Sequence, residues 1–138
     1  MRRDWRWPGA RGRFKGGEGS KIRNTLGDYP EAVRQKAKEE KVALIDLYAM
    51  SAAFYEALGP AKSLGAFGSN GRDATHHSAY GAYELAKCVV EGIRAEKLEL
   101  VKYLADGLPA FDPAHPDPPE QWKLPVSPRF SKVAPRGN

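Results

Sequence analysis

The stretch RDATHHSAYGAYELAKCVVEGI, Arg72 to Ile93, joins two adjacent histidines to the most regular helical pattern in the chain. Its apolar residues recur at helical spacing and predict a helix over 79–94, with a stripe made of Ala82, Leu85, Ala86, Val89 and Ile93. Ser78 stands where a helix N-cap is preferred. This stretch therefore predicts an amphipathic helix whose first turn follows directly on a histidine pair.

The spacing of Asp73 and His76 predicts a proton-transfer pair at the entrance to that helix. A histidine that acts as a general base needs its far ring nitrogen held by an acceptor, so that the near nitrogen can take a proton from a hydroxyl. We expect Asp73 to accept from the ring N–H of His76, which makes His76 the base. Because consecutive side chains at a helix start point in different directions, we expect His77 to face solvent or a bound sugar, or to be an ordinary exposed residue.

The upstream sequence predicts an α/β order of elements. Asp28 and Pro30 suit the start of a helix that runs to about Lys41. The short apolar run VALID, residues 42–46, predicts a buried strand, and residues 47–58 predict a second helix that ends at Gly59–Pro60. A lone strand needs neighbours and covered faces. We therefore predict an incomplete α/β fold whose strand keeps an open edge.

The length of 138 residues suggests one domain. The chain has a formal net charge of +5, and its two ends differ in composition from its middle. We expect a disordered basic leader over 1–22, a folded region over 23–106 and a Pro-rich tail over 107–138 that is extended on a surface or disordered. The leader also allows a second class of function, a basic nucleic-acid-binding small protein. Its arginines would hold phosphates and its aromatic residues would stack on bases. Nucleic acid is nevertheless the less expected partner.

Several other classes of protein are not expected from the residues. No apolar run is long enough to cross a membrane, and the start lacks the apolar core of a signal peptide.

Cys88 is predicted to be a buried core thiol, and His115 to be an exposed residue of the tail. Asp73, His76 and His77 could ligate a metal, but no further ligand has suitable spacing, so neither a metal nor another cofactor is expected.

DATHHSAYGAYELAKCVVEGI resembles the last block of the SGNH, or GDSL-type, serine hydrolases, in which Asp-x-x-His supplies the acid and base of a Ser-His-Asp triad. NTLGDYPEAVRQKAKEEKVALIDLYAMSAAFYEALGP upstream and LPAFDPAHPDPPE downstream are similar to the branch of the rhamnogalacturonan acetylesterases. The resemblance covers residues 14–138 and implies the C-terminal part of a flavodoxin-like α/β/α hydrolase. Such enzymes are usually exported and remove acetyl groups from a plant cell-wall polysaccharide, here a rhamnogalacturonan-like pectin.

The resemblance also implies blocks that this sequence does not contain. Family members carry their nucleophile in a Gly-Asp-Ser block, and oxyanion donors in further blocks, all upstream of the region matched here. Gly27–Asp28 is followed by Tyr29 instead of serine, and Gly68–Ser69–Asn70 has no oxyanion hole beside it. The chain is therefore expected to be a fragment of a carbohydrate esterase that is inactive alone, and its expected partner is the missing N-terminal half of the domain.

Overall fold

The computed structural model describes Phe14 and residues 21–123. The regular elements of this part are α1 (Tyr29–Glu40), α2 (Leu47–Lys62), β1 (Phe67–Gly68), β2 (Asp73–His77) and α3 (Ala79–Ala95). Short 3₁₀ turns lie at Ser63–Ala66, Ser69–Gly71 and Glu99–Tyr103. The two strands pair antiparallel, so the described part consists of helices with a small sheet, which is consistent with the α/β class. None of its helices is long and apolar enough to span a bilayer.

Ser78 fixes the junction between β2 and α3. Its side-chain oxygen accepts a hydrogen bond from the backbone N–H of Gly81 at 3.1 Å, which confirms the predicted N-cap. The same hydroxyl donates to the carbonyl of Gly65 at 2.6 Å, and the Ser78 backbone N–H donates to the carbonyl of Ala66 at 3.0 Å. One residue therefore ties the end of the sheet and the start of the helix to the turn at Ser63–Ala66.

Gly81 allows the first turn of α3 to lie directly on that 3₁₀ turn. A Cβ added at Gly81 would collide with the backbone carbonyl of Ala66. Further along the helix, a Cβ at Gly92 would meet the side chain of Ile45. The two glycines thus set how closely α3 approaches the preceding segments.

The core of the described part is an aromatic cluster. Its buried members are Phe14, Phe54, Tyr55, Leu58, Ala66, Phe67 and Tyr80. The ring of Phe54 lies 5.0 Å from that of Tyr55 and 6.0 Å from that of Tyr80, and Tyr55 stacks on Phe67 at 5.2 Å. Aromatic side chains bury large areas and favour tilted or offset contacts at these separations. The cluster therefore joins α2, β1 and α3 into one packed unit.

The buried face of α3 differs in part from the predicted stripe. The buried residues of the helix are Tyr80, Gly81, Glu84, Cys88, Gly92 and Ile93. Ala82 and Ala86 are exposed, and Leu85 and Val89 are only half-buried. The stripe prediction is confirmed at Ile93 and at Leu85, which packs against the core. It was wrong at Ala82 and Ala86, because the Ser63–Ala66 turn and the segment after Gly107 cover a neighbouring face of the helix. Cys88 is buried as predicted, and burial raises the pKa of its thiol to about 11.

Residues 42–46 form no strand, which corrects the prediction made from VALID. A strand exists only through hydrogen bonds to a neighbouring strand, and no described segment pairs with this one. Val42 is 60% exposed. Asp46, which the sequence placed at the end of a strand, instead caps α2 by accepting from the Ala49 backbone N–H at 2.9 Å.

The ends of the other predicted helices are as follows. Asp28 occupies the N-cap position of α1 but makes no side-chain capping hydrogen bond, and α1 has no buried residue. The predicted stop at Gly59–Pro60 is a break inside α2, because Gly59 has φ 71 and ψ 174. Glycine reaches such a positive φ without the penalty paid by other residues.

The segment after Gly107 lies along α3 as far as residue 123. The hydroxyl of Tyr80 donates to the Asp117 carbonyl at 2.6 Å, and the ammonium of Lys87 forms an ion pair with the Asp117 carboxylate at 2.8 Å. Trp122 contacts the ring of Tyr80 at 5.7 Å. Glu84 is completely buried beneath this segment, and burial raises its pKa. Residues 124–138 of the predicted tail, and most of the predicted leader with its arginines, lie outside the described residues.

We expect Gly81→Ala to destabilise the chain, although alanine favours helices. The new methyl group would overlap a backbone carbonyl that cannot move aside, so the free energy of unfolding should fall by roughly 1–3 kcal/mol. Gly65→Ala is the control, since its new methyl group would make only an ordinary contact of 3.7 Å with the Pro119 side chain, and its loss should be smaller. Urea denaturation measures both; equal stability of Gly81→Ala and the parent chain would contradict the packing described here.

Candidate functional site

Asp73 and His76 form a hydrogen-bonded pair on β2. The Nδ1 atom of His76 lies 2.8 Å from Oδ2 of Asp73. The other carboxylate oxygen, Oδ1, accepts from the backbone N–H groups of Thr75 and His76, each at 3.0 Å. Both oxygens of Asp73 are thus engaged within four residues of chain, which fixes the carboxylate relative to the imidazole.

These contacts determine the ionisation state of Asp73 and the tautomer of His76. The backbone N–H of His76 is the main cause that lowers the pKa of Asp73 to about 2, followed by the backbone N–H of Thr75 and the His76 side chain. Asp73 is therefore ionised at neutral pH. An ionised acceptor at Nδ1 favours the tautomer that carries its proton there, which leaves Nε2 as the basic nitrogen. The His76 side chain is 80% exposed, so Nε2 can be reached from outside.

The neighbouring strand holds this pair in place. Phe67 is paired with His77, and Gly68 with Asp73, with an irregular register between the two pairs. A Cβ added at Gly68 would lie only 3.2 Å from the Cβ of Asp73. The absence of a side chain at Gly68 therefore gives the carboxylate room to turn back toward its own strand.

His77 is exposed, and one side of its ring contacts aromatic residues of the core. Its Nε2 lies 2.7 Å from the hydroxyl of Tyr55, and its ring is 5.1 Å from that of Phe67. His77, Thr75 and Tyr55 line an open cleft of about 410 Å³ whose wall also includes Arg23 and Tyr48. The sequence analysis missed Tyr55, because the helical spacing of α2 pointed to Phe54 and Leu58 and nothing in the sequence links Tyr55 to His77. A contact between His77 and a sugar stays a prediction.

A second Asp-x-x-His turn occurs in the segment along α3. His115 Nδ1 lies 2.7 Å from Oδ2 of Asp112, and Oδ1 of Asp112 accepts from the Ala114 backbone N–H at 2.9 Å. His115 is highly exposed, as predicted, with 83% of its side chain accessible. The spacing by itself therefore generates the hydrogen bond. The two pairs differ in the structure that holds them, since only the Asp73–His76 pair lies on a strand joined to the aromatic core.

The described hydroxyls near the helix start do not contact His76. Ser63 is 1% exposed and donates to the Pro60 carbonyl at 3.3 Å. The hydroxyl of Ser78 is used in the cap and in the bond to Gly65. Over Phe14 and residues 21–123, no group of three or more His, Cys, Asp or Glu side chains could hold a metal ion. The chemistry of the described site is therefore that of a carboxylate–imidazole pair.

Comparison with known proteins finds two relatives that are both named as rhamnogalacturonan acetylesterases. The chain is 40% identical over 98 residues to "Rhamnogalacturonan acetylesterase RhgT" of Bacillus subtilis (strain 168), a match that covers 63% of the chain and 42% of that protein. It is 41% identical over 83 residues to "Probable rhamnogalacturonan acetylesterase YesY" of the same organism, with 57% and 37% covered. More particularly, the chain contains a partial SGNH-type rhamnogalacturonan acetylesterase-like region, which confirms the predicted resemblance.

The extent of the matches bears on the site. The chain spans less than half the length of either relative. The shorter match covers 57% of the chain, so no more than 43% of the chain can lie on either side of it. Asp73 and His76 fall between those limits and therefore lie inside both matched regions. No model of a protein family matches the chain, and no solved structure matches it significantly.

We expect the Asp73 carboxyl to titrate near pH 2 when its side-chain ¹³C resonance is followed by NMR. Because this pKa is depressed, the hydrogen bonds of the carboxylate stabilise the fold fully above about pH 4, and this contribution is lost as the pH falls through about 2.

His76→Ala should raise the pKa of Asp73 yet leave it below 3.8, since the two backbone donors remain. His115→Ala is the matched control and should leave the Asp73 titration unchanged. A midpoint near 3.8 in the parent chain would be inconsistent with the turn geometry.

Proposed function

We propose that this chain is the acid–base part of an SGNH-type carbohydrate esterase that removes acetyl groups from a rhamnogalacturonan-like pectin. The observation that carries the proposal is the anchored Asp73–His76 pair, which lies inside the region matched to two acetylesterases. In this proposal, residues 23–106 are the C-terminal part of a flavodoxin-like α/β/α domain. Residues 1–22 are its leader and residues 107–138 its tail.

Each member of the pair has a distinct role in the proposed reaction. Nε2 of His76 takes the proton of a serine hydroxyl as the serine oxygen attacks the acetyl carbonyl. It then gives that proton to the sugar oxygen as the bond between this oxygen and the acetyl carbon breaks, so the sugar leaves with a free hydroxyl. Asp73 stays ionised, holds the ring through Nδ1 and stabilises the imidazolium form. The low pKa of Asp73 supports this role because a carboxylate that remains charged can offset the positive charge that develops on His76.

The serine and the oxyanion donors belong, in this proposal, to a segment outside the matched region. The hydroxyls of Ser63 and Ser78 support this assignment, because both are committed to backbone carbonyls. Removing one oxyanion donor from a serine hydrolase lowers its rate about a hundredfold or more. A chain without nucleophile and donors retains only an exposed general base.

Acetylated polysaccharide is the proposed substrate, and His77 is a minor contributor to its binding. The cleft beside His77 presents aromatic and polar groups together, as in Tyr48 and Arg23, a combination suited to sugar rings. His77 is already held by Tyr55. It can therefore contact a sugar from a fixed position without taking part in proton transfer.

We expect the chain alone to show no saturable turnover of p-nitrophenyl acetate or acetylated pectin. Any hydrolysis should be a histidine-like background that rises linearly with protein concentration and resists organophosphonates, because the described hydroxyls of Ser63 and Ser78 are engaged with backbone carbonyls and not with His76. The assay includes His76→Ala, which should lower that background. Covalent labelling by an organophosphonate together with saturable activity would refute the expectation, and peptide mapping would then identify the labelled serine.

In a complete enzyme, made by fusing the upstream portion of RhgT to this chain, His76→Ala should lower kcat/KM by roughly 10²–10⁴-fold. His77→Ala should cost no more than about tenfold, the effect of one lost hydrogen bond. His115→Ala controls for the loss of an exposed Asp-x-x-His pair and should leave the rate unchanged. A larger loss from His77→Ala than from His76→Ala would reverse the assigned roles.

A further inference from the structure

A row of polar side chains on α3 contacts the segment after Gly107. The row consists of residues spaced alternately four and three positions apart, namely Tyr80, Glu84, Lys87, Glu91 and Arg94. Residues at this spacing share one face of a helix. Each member makes a hydrogen bond or an ion pair to residues 108–117. The row is therefore a continuous contact surface for this segment, and we call residues 108–123 the strap.

Asp117 is the residue of the strap that α3 holds most completely. Its backbone N–H donates to Oε2 of Glu84 at 3.3 Å. Its carbonyl accepts from the hydroxyl of Tyr80 at 2.6 Å, and its carboxylate forms the 2.8 Å ion pair with Lys87. Three consecutive members of the row thus bind the three polar groups of one residue, which fixes both the position and the orientation of the strap at this point.

Glu84 lies beneath Asp117 and is completely buried. Its Oε1 atom lies 2.8 Å from Nζ of Lys87 as an ion pair, although the angles of this contact are not those of a hydrogen bond. Burying a carboxyl group is costly unless nearby charges and donors compensate. The compensation at Glu84 comes from Lys87 and from the backbone of the strap. The buried acid and the bound strap therefore depend on each other.

The end of the strap lies against the turn at Ser63–Ala66. The side chain of Pro119 packs beside Gly65 of this turn. Glu120 forms an ion pair at 3.0 Å with Lys62, the last residue of α2. An exposed ion pair of this kind contributes little by itself. The position of the end of the strap therefore depends mainly on how firmly the preceding residues are bound to α3.

We propose that Asp117 is a positioning residue for the Asp73–His76 pair and acts on it through the strap and the turn. The proposal rests on the proposed function. The turn accepts the hydrogen bonds of Ser78, the residue directly after β2, so a shift of the turn moves the end of the strand that carries His76. The hydrogen bond between Asp73 and His76 is local and should survive such a shift. What changes is the direction of Nε2 relative to the rest of the domain.

Two variants loosen the strap without emptying the core. Asp117→Ala removes a carboxylate whose side chain is 55% exposed, and Tyr80→Phe removes one hydroxyl and keeps the ring. Neither separates Glu84 from Lys87. Asp106→Ala is the matched control, because it makes the same change of charge at an exposed residue just before the strap. Thermal melts check that each variant is folded.

Amide hydrogen exchange in the full 138-residue chain tests the coupling. We expect the Ser78 N–H, which donates to the Ala66 carbonyl, to exchange about threefold to tenfold faster in each strap variant, the effect of one lost hydrogen bond. Amides of residues 54–58 in α2 should exchange as in the parent, because the loosening is local. The ring ¹H resonances of His77, 5.1 Å from the ring of Phe67, should shift in the same variants.

The fusion with the upstream portion of RhgT tests the effect on the reaction. Asp117→Ala should lower kcat about tenfold and leave KM within about twofold, because the base is displaced while the groups that bind the sugar are not. Asp117→Asn keeps a side-chain oxygen for Lys87 and should recover part of the loss. Asp106→Ala should leave both constants unchanged.

The outcomes separate this inference from the proposed function. Faster exchange at Ser78 in the strap variants, with α2 unchanged, supports the coupling. Unchanged exchange at Ser78 overturns it, and so does equal acceleration at Ser78 and in α2, which would mean a general loss of stability. An active fusion whose kcat does not respond to Asp117→Ala also overturns it. An inactive parent fusion contradicts the proposed function alone, and the exchange result then decides the coupling.

Discussion

Three of the hydrogen bonds of Ser78 are the constraint on which the rest of the described structure depends. They join the end of β2, the start of α3 and the turn at Ser63–Ala66 within one residue. The turn leads directly into β1, so its position sets where Phe67 meets the aromatic core. Gly81 then permits α3 to close onto the same turn. The helix, the small sheet and the core are consequently positioned together and not as independent units.

That arrangement gives the two adjacent histidines, both exposed, different contacts. His77 lies among aromatic rings and reaches Tyr55, whereas His76 projects outward beside Asp73. The contacts of His77 join the strand to the core, and His76 presents its Nε2 atom. Rigid placement of a reactive side chain by a packed neighbour is a general way to hold a functional group in productive geometry. His77 therefore has a structural role in this arrangement, and His76 is the reactive group.

Sequence reasoning succeeded where the determining contacts are local. The helix after Ser78, the break at Gly59 and the closeness of Asp73 to His76 each depend on residues a few positions apart. It failed for residues 42–46, because a strand is defined by a neighbour that the described chain does not provide. It placed the stripe of α3 on the wrong residues in part, since the covering segment arrives from after Gly107. Tyr55 left no signal, because its partner lies 22 residues away and only the fold brings them together.

The repetition of the Asp-x-x-His turn at Asp112 and His115 shows how little chain is needed to assemble a carboxylate–imidazole pair. Closing a loop between distant residues carries an entropic penalty that grows with loop length, and a pair three residues apart nearly avoids it. In a three-residue catalytic assembly built on such a turn, only one long-range encounter remains, that of the nucleophile with the preformed pair. Two pieces of chain can then share the chemistry, because the piece with the turn carries its half of the mechanism already ordered.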